Sequence, residues 1–244
     1  MEKAEILGIH FDNVTLESAT EWMMDRIRKG EKGYVVTPNA EIVYMCKDDP
    51  ALQKLVNEAA MVLPDGIGVV YAAKLLHETL SGKVAGIDFA ASLMAAMAKE
   101  GKSLYLFGAK PGIAEAAAKN LEKTYPGLVI QGYRDGYFKE DAEAVASIQA
   151  AGHADVVFVC LGAPKQEKFM RDHLAELDTT LMCGLGGSLD IFAGVSERAP
   201  NIWIKLGLEW FYRLCKEPQR IGRMMNLPRF MLTVMKSKFS GKGE

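Results

Sequence analysis

No stretch of the sequence approaches the roughly 18 consecutive apolar residues that a membrane-spanning helix needs. Met1–Asn13 holds no apolar signal core, so export by that route is not expected. The four cysteines, Cys46, Cys160, Cys183 and Cys215, form no C-x-x-C, and the four histidines form no H-E-x-x-H. That usage excludes a paired redox thiol site and a zinc site of that kind. It fits a reducing cytoplasm, with Cys160 and Cys183 acting as small hydrophobes inside apolar runs. A G-x-x-x-x-G-K-[ST] phosphate loop is also missing. Gly184–Leu189 and Gly66–Tyr71 begin like G-x-G-x-x-G but lack the third glycine, and Gly108–Gly112 has the wrong spacing. There is no Asp-x-Asp either. A diphosphate leaving group would then have to be stabilised by Arg, Lys and helix N-termini, or by a metal site of another kind. Neither internal repeats nor low-complexity segments occur.

What is present is 244 residues, 49% of them hydrophobic, enough for one large domain with an appendage. The modest net charge hides two regions of opposite sign. Residues 1–194 carry 19 basic and 27 acidic residues, a net of −8, whereas Val195–Glu244 carries ten basic and four acidic, a net of +6. The boundary expected on this basis separates an α/β body, 1–194, from a basic appendage, 195–244. In the appendage Trp203, Trp210, Phe211, Tyr212, Phe230 and Phe239 are interleaved with the charges. Such a mixture suits an anionic, half-apolar partner, first of all a membrane surface.

Along the body, short β-branched runs alternate with Ala-rich segments of helical period. Strands are expected at Glu5–Ile9, Tyr34–Thr37, Ala60–Leu63, Ser103–Phe107, Leu128–Gln131, Asp155–Leu161 and Thr180–Gly184. Helices are expected near Leu16–Arg28, Pro50–Ala59, Gly66–Leu76, Ile87–Lys99, Ile113–Thr124, Ala142–Ala151 and Lys165–Glu176. The alternation predicts an α/β, Rossmann-like layered domain around a largely parallel sheet, with a C-terminal basic amphipathic helical appendage. In such sheets ligands sit beyond the carboxyl ends of the strands. Five of those ends finish in Gly, Pro or small polar residues: Thr37–Glu41, Pro64–Gly66, Gly108–Gly112, Gly162–Glu167 and Gly184–Ser188.

Each candidate has a plain structural reading as well as a chemical one. Pro64-Asp65-Gly66 is an ordinary turn with a possible helix cap, yet a carboxylate at a strand end is also well placed as a general base. Thr37 and Asn39 suit either a turn and cap or sugar hydroxyls and an acetamido group. Gly162, Gln166 and Glu167 read either as a tight turn or as contacts to a base or ribose. Arg213, Arg220 and Arg223 are candidates for a diphosphate, or else form a solvated basic face; Pro218 interrupts the helix that would align all three. Over Asn201–Lys216, Trp203, Leu206, Trp210 and Leu214 form a stripe that predicts one amphipathic helix.

Taken together, Thr37-Pro38-Asn39, Pro64-Asp65-Gly66, Lys83–Asp88, Leu161–Glu167, Gly184–Asp190, Arg198-Ala199-Pro200 and Glu209–Arg220 resemble the WecG/TagA/CpsF glycosyltransferases in the same order along nearly the whole chain. The resemblance implies inverting transfer of N-acetylmannosamine from its UDP derivative to N-acetylglucosaminyl-diphospho-undecaprenol, forming a β-1,4 bond in the wall teichoic acid linkage unit. It implies Asp65 as the base, and Thr37 and Asn39 in the donor or acceptor pocket. Gln166 and its turn would lie on the nucleotide, with Lys83 and the tail arginines on phosphate. No metal and no cofactor are implied. Lys83 departs from the Arg expected in this motif and loses the bidentate fork. A peripheral place on the inner face of the cytoplasmic membrane, with self-association away from it, follows from the same likeness. A related lipid-linked hexosaminyl transferase and a nucleotide-sugar-modifying enzyme stay open as alternatives. A nucleic-acid-binding module does not suit the acidic body.

Overall fold

The computed structural model describes residues 2–216 and 221–240. The chain opens with β1 (Lys3–Ile6) and β2 (Ile9–Asp12), an antiparallel hairpin. A single strand over Glu5–Ile9 was expected, and the difference lies in Leu7-Gly8. Both residues take positive φ, 50° and 81°, and reverse the chain in a two-residue turn. Buried Asp12 ties the hairpin to the body by accepting a 2.8 Å hydrogen bond from the Val62 amide.

The body then runs α1 (Leu16–Lys29), β3 (Gly33–Val36), α2 (Ala40–Asp48), α3 (Pro50–Asn57), β4 (Met61–Val62), α4 (Ile67–Leu76), α5 (Gly86–Lys99), β5 (Ser103–Gly108) and α6 (Ile113–Thr124). It continues with β6 (Val129–Arg134), α7 (Asp141–Ala150), β7 (Ala154–Cys160), α8 (Lys165–His173), β8 (Thr179–Gly184) and α9 (Ser188–Phe192). Six strands form one parallel sheet in the order β4-β3-β8-β7-β5-β6. The chain is thus a mixed α/β fold around a parallel sheet, followed by C-terminal helices.

Alternation along the strands divides the interior into two cores. Val35, Val156, Phe158 and Leu181 face α1, α5 and α6, whereas Tyr34, Val36, Val157 and Met182 face the layer of α2, α3 and α8. Because both faces are covered, β3, β7 and β8 are apolar almost throughout.

Beyond Pro200 come α10 (Asn201–Lys205), α11 (Glu209–Lys216), α12 (Ile221–Met224) and α13 (Asn226–Ser240). The single helix expected over Asn201–Lys216 is broken. Gly207 takes φ 70°, its amide returns to the Ile204 carbonyl, and the Leu208 amide returns to that of Trp203. This pair of bonds is a Schellman termination, available because glycine enters the left-handed region without a Cβ penalty. The break splits the expected stripe: Leu206 is 63% exposed, while Trp210 turns inward. Farther on, α13 packs against α2 and α4, with Phe230 and Val234 fully buried in the core. No helix among the described residues is long and apolar enough to cross a membrane.

Candidate active site

The carboxyl ends of β3, β4, β7 and β8 converge on a cleft of about 450 Å³. The start of α5 closes one side, and Glu209, Trp210 and Leu227 from the C-terminal helices reach across the mouth. The end of β5 opens instead on an adjoining hollow of about 340 Å³, lined by Lys110 and Tyr137 and joined to the cleft at Cys160, Leu161 and Asp190. Of the five strand ends singled out in the sequence, four line the cleft and the fifth lines its extension.

Asp65 stands half-buried in the cleft wall. Its turn is held on both sides: the Asp65 amide donates to the Pro38 carbonyl at 3.3 Å, and the Val84 amide donates to the Pro64 carbonyl at 2.9 Å. The capping position of α4 falls on Gly66, one residue beyond Asp65. Asn39 does serve as a cap. Its side-chain oxygen accepts from the Glu41 and Ile42 amides at 3.0 and 3.1 Å, which starts α2. The amide nitrogen of Asn39 is the part of that side chain left for a ligand. The Thr37 hydroxyl donates to the Gly184 carbonyl at 2.9 Å, stitching β3 to β8, and retains only its acceptor capacity.

Gln166 is 3% exposed and spans two strand ends. Its oxygen accepts from the Gly186 amide at 3.0 Å, and its nitrogen donates to Glu167 at 2.9 Å. Glu167 itself is fully buried behind Gln166 and does not line the cleft, so it can influence a ligand only through Gln166. Burial pushes the Glu167 carboxyl above its ordinary value, against the smaller opposing pull of the Gln166 hydrogen bond. Its second oxygen has no hydrogen-bond partner, which adds to the cost of ionising it there. Gly162 lies in the cleft wall just before the cis Ala163–Pro164 bond.

Lys83 sits at the rim rather than in the lining, 3.2 Å from a Glu209 carboxylate oxygen. Arg220 lies outside the described residues, as do the side chains of Arg213 and Arg223 on α11 and α12. Residues that sequence reasoning had not singled out one by one also line the site: Glu41, Ser188, Asp190, Glu209 and Leu227. Four of them lay inside motifs already noted, but nothing in the sequence marked Leu227, which arrives from α13 by tertiary packing.

The electrostatics of the cleft are one-sided. Among the described residues the lining brings Glu41, Asp65, Asp190 and Glu209 but no Lys or Arg. Positive potential comes instead from backbone. The N-termini of α4 and α5 both open into the cleft, and neither Gly66 nor Ala85 supplies a side-chain cap. Their first-turn N–H groups are therefore available to an anion. Among the described residues, no three His, Cys, Asp or Glu side chains gather in a way that would hold a metal ion.

The sequence matches a family of known proteins over nearly its whole length. The sequence model of the glycosyl transferase WecG/TagA/CpsF family matches residues 4–244. An N-acetylglucosaminyldiphosphoundecaprenol N-acetyl-beta-D-mannosaminyltransferase of Bacillus subtilis (strain 168) is 35% identical over 243 residues, 99% of this chain and 94% of that protein. Its namesake in Staphylococcus aureus (strain MW2) is 34% identical over 97% of this chain and 93% of its own length. A third, from Bacillus spizizenii, is 36% identical over 83% of this chain and 79% of its own. With the family pattern matched from the first hairpin to the C-terminus, and its strand-end motifs brought together in one cleft, the chain belongs to the WecG/TagA/CpsF family of glycosyltransferases.

Proposed function

We infer that this glycosyltransferase moves N-acetylmannosamine from UDP-N-acetylmannosamine to N-acetylglucosaminyl-diphospho-undecaprenol, the step that builds the wall teichoic acid linkage unit. The observation that carries the reading is a carboxylate, Asp65, facing two uncapped helix N-termini in one cleft. The relatives' activity supplies the sugar and the lipid. Asp65 takes the proton from the C4 hydroxyl of the acceptor sugar as its oxygen attacks the anomeric carbon of the donor. The bond from that carbon to the diphosphate breaks in the same displacement, and UDP leaves with the electron pair. Attack opposite the leaving group inverts an α-linked donor to a β-1,4 product without a covalent intermediate. Charge developing on the diphosphate is met by the N–H groups of α4 and α5, with Lys83, Arg213, Arg220 and Arg223 as cationic partners. No metal is required in this scheme.

Thr37 and Asn39 lie against the sugars and Gln166 with Gly162 against the nucleotide, in the manner of ligands at the strand ends of a Rossmann-like sheet. Residues 195–244 act as an appendage that docks on the inner face of the cytoplasmic membrane and completes the site. Ile221, Leu232 and Phe239 are 60, 58 and 70% exposed there, among Arg229, Lys236 and Lys238. Apolar side chains set among cations suit an anionic bilayer, and away from it a second copy of the chain would cover them. The test is turnover with a short-chain lipid-diphosphate-N-acetylglucosamine and either UDP-N-acetylmannosamine or UDP-N-acetylglucosamine. A β-1,4 product formed from the first donor alone supports the reading. Equal use of both donors returns the chain to a broader hexosaminyl transferase.

A further inference from the structure

Glu209, the first residue of α11, stands in the cleft mouth with two cations beside it. Its Oε2 lies 3.2 Å from Lys83 Nζ and its Oε1 lies 3.7 Å from Arg198 Nε. Arg198 is anchored independently, its two terminal nitrogens paired with the two Asp88 oxygens in the first turn of α5. That fork, ahead of Glu209, raises the affinity of the guanidinium for its proton. The third donor of the fork is poorly served. Arg198 Nε is buried without a hydrogen-bond acceptor, because Glu209 at 3.7 Å offers charge but no bond.

The seat formed by Lys83 and Arg198 is therefore occupied, but loosely. A planar carboxylate touches one cation and falls short of the other. A phosphate presents three oxygens in a tetrahedral array and can satisfy both donors at once. The cleft lining has carboxylates but no cation among the described residues, and Lys83 and Arg198 meet it through Glu209, which is itself part of that lining. While Glu209 stays in place, two carboxylates cancel the two cations and the seat offers an incoming anion no net charge.

We propose that Glu209 is an internal stand-in for the diphosphate of the donor. Its carboxylate holds Lys83 and Arg198 in the empty enzyme and is displaced from them when the nucleotide diphosphate binds. The proposal rests on the donor reading above and adds Arg198 as a phosphate ligand and Glu209 as its competitor. Because Glu209 begins α11, its displacement frees the start of that helix from Lys83 and Arg198 and lets it shift about the left-handed Gly207 turn. Donor binding is thereby coupled to the position of the C-terminal segment.

UDP is the probe, titrated calorimetrically into the full chain as wild type, Glu209→Gln, and Glu209→Gln with Lys83→Met. Removing a competing ion pair of this kind should tighten UDP binding about fivefold in Glu209→Gln, and much of that gain should vanish in the double variant. Amide hydrogen exchange on the wild type needs no substitution: UDP should speed exchange across Glu209–Lys216. Equal or weaker UDP binding by folded Glu209→Gln overturns the proposal, and so does unchanged or slowed exchange in α11. Should Glu209→Gln fail to fold, the wild-type exchange result decides alone. If the wild type binds no UDP, the donor reading falls and takes this proposal with it. UDP binding without the α11 response sinks the Glu209 proposal only.

Discussion

Truncating Phe230 to Ala should undock α13 while leaving the sheet folded. Phe230 and Val234 are fully buried against α2 and α4, with Leu227 and Met231 partly buried beside them. Burying each of the two larger contributors stabilises the docked helix by about 1.5–3 kcal/mol, offset by the entropy of ordering the segment. Loss of the Phe230 share, about 2 kcal/mol, raises the undocked population about 30-fold. When reclosing is faster than cleavage, proteolysis follows that population. Trypsin should then cut after the exposed Arg229 and Lys236 about 30 times faster in Phe230→Ala than in wild type. The second core, on the opposite face of the sheet, contains no α13 residue, so the melting of the body should move far less than a whole-core Phe→Ala loss of about 3–5 kcal/mol would imply. Leu227 lines the cleft, so turnover should fall along with docking. Unchanged cleavage would refute the reasoning. So would a single melting step in which α13 and the body fail together.

Other expectations concern titration, thiols and lipid. The Glu167 carboxyl is raised above its ordinary 4.5 by burial, so the folded chain keeps a proton that the unfolded chain releases. Its contribution to stability is full below that value and is lost as pH rises through the folded value. Denaturant midpoints of Glu167→Gln should therefore improve relative to wild type from pH 4.5 upward, and a pH-independent difference would contradict this. Burial raises the thiols of Cys46 and Cys160 to about 12, while Cys215 is exposed, so a thiol reagent should modify Cys215 first in the native chain. Rapid labelling of Cys160 would show the cleft to be far more open than it is here. Phosphatidylglycerol vesicles should bind the chain, with Lys236→Gln plus Lys238→Gln weakening binding at about 1 kcal/mol per charge. Equal binding to phosphatidylcholine vesicles would remove the electrostatic part of the argument.

Local chemistry made much of this architecture legible. Ile113–Thr124 reads as a helix from its spacing and forms α6 over the same residues. The strand expected over Asp155–Leu161 forms as β7, Ala154–Cys160, within the parallel sheet. Where reading failed, a short-range signal was overridden or passed over. β6 extends to Arg134 through Gln131 and Gly132, polar or small residues tolerated because this strand lies at the sheet edge. α2 is nine residues long, and its start was visible only as a cap at Asn39. Gly8 and Gly207 each marked a reversal that apolar periodicity obscured. The cleft was legible as a set of strand ends, since a parallel sheet gathers them at one edge. Its partners were not. Lys83 meets Glu209 across 126 residues, and Arg198 meets Asp88 across 110, contacts created by tertiary packing alone.

The role of Asp65 is the central claim, and Asp65→Asn tests it most directly. UDP release from UDP-N-acetylmannosamine with the lipid-linked acceptor should be measured in EDTA, alongside calorimetric UDP binding, for wild type and variant. An amide cannot accept the hydroxyl proton, so turnover should drop by about 10²–10⁴-fold while UDP affinity and melting temperature hold. Undiminished turnover by Asp65→Asn, in chain that still binds UDP, would return Asp65 to a turn residue and contradict the account.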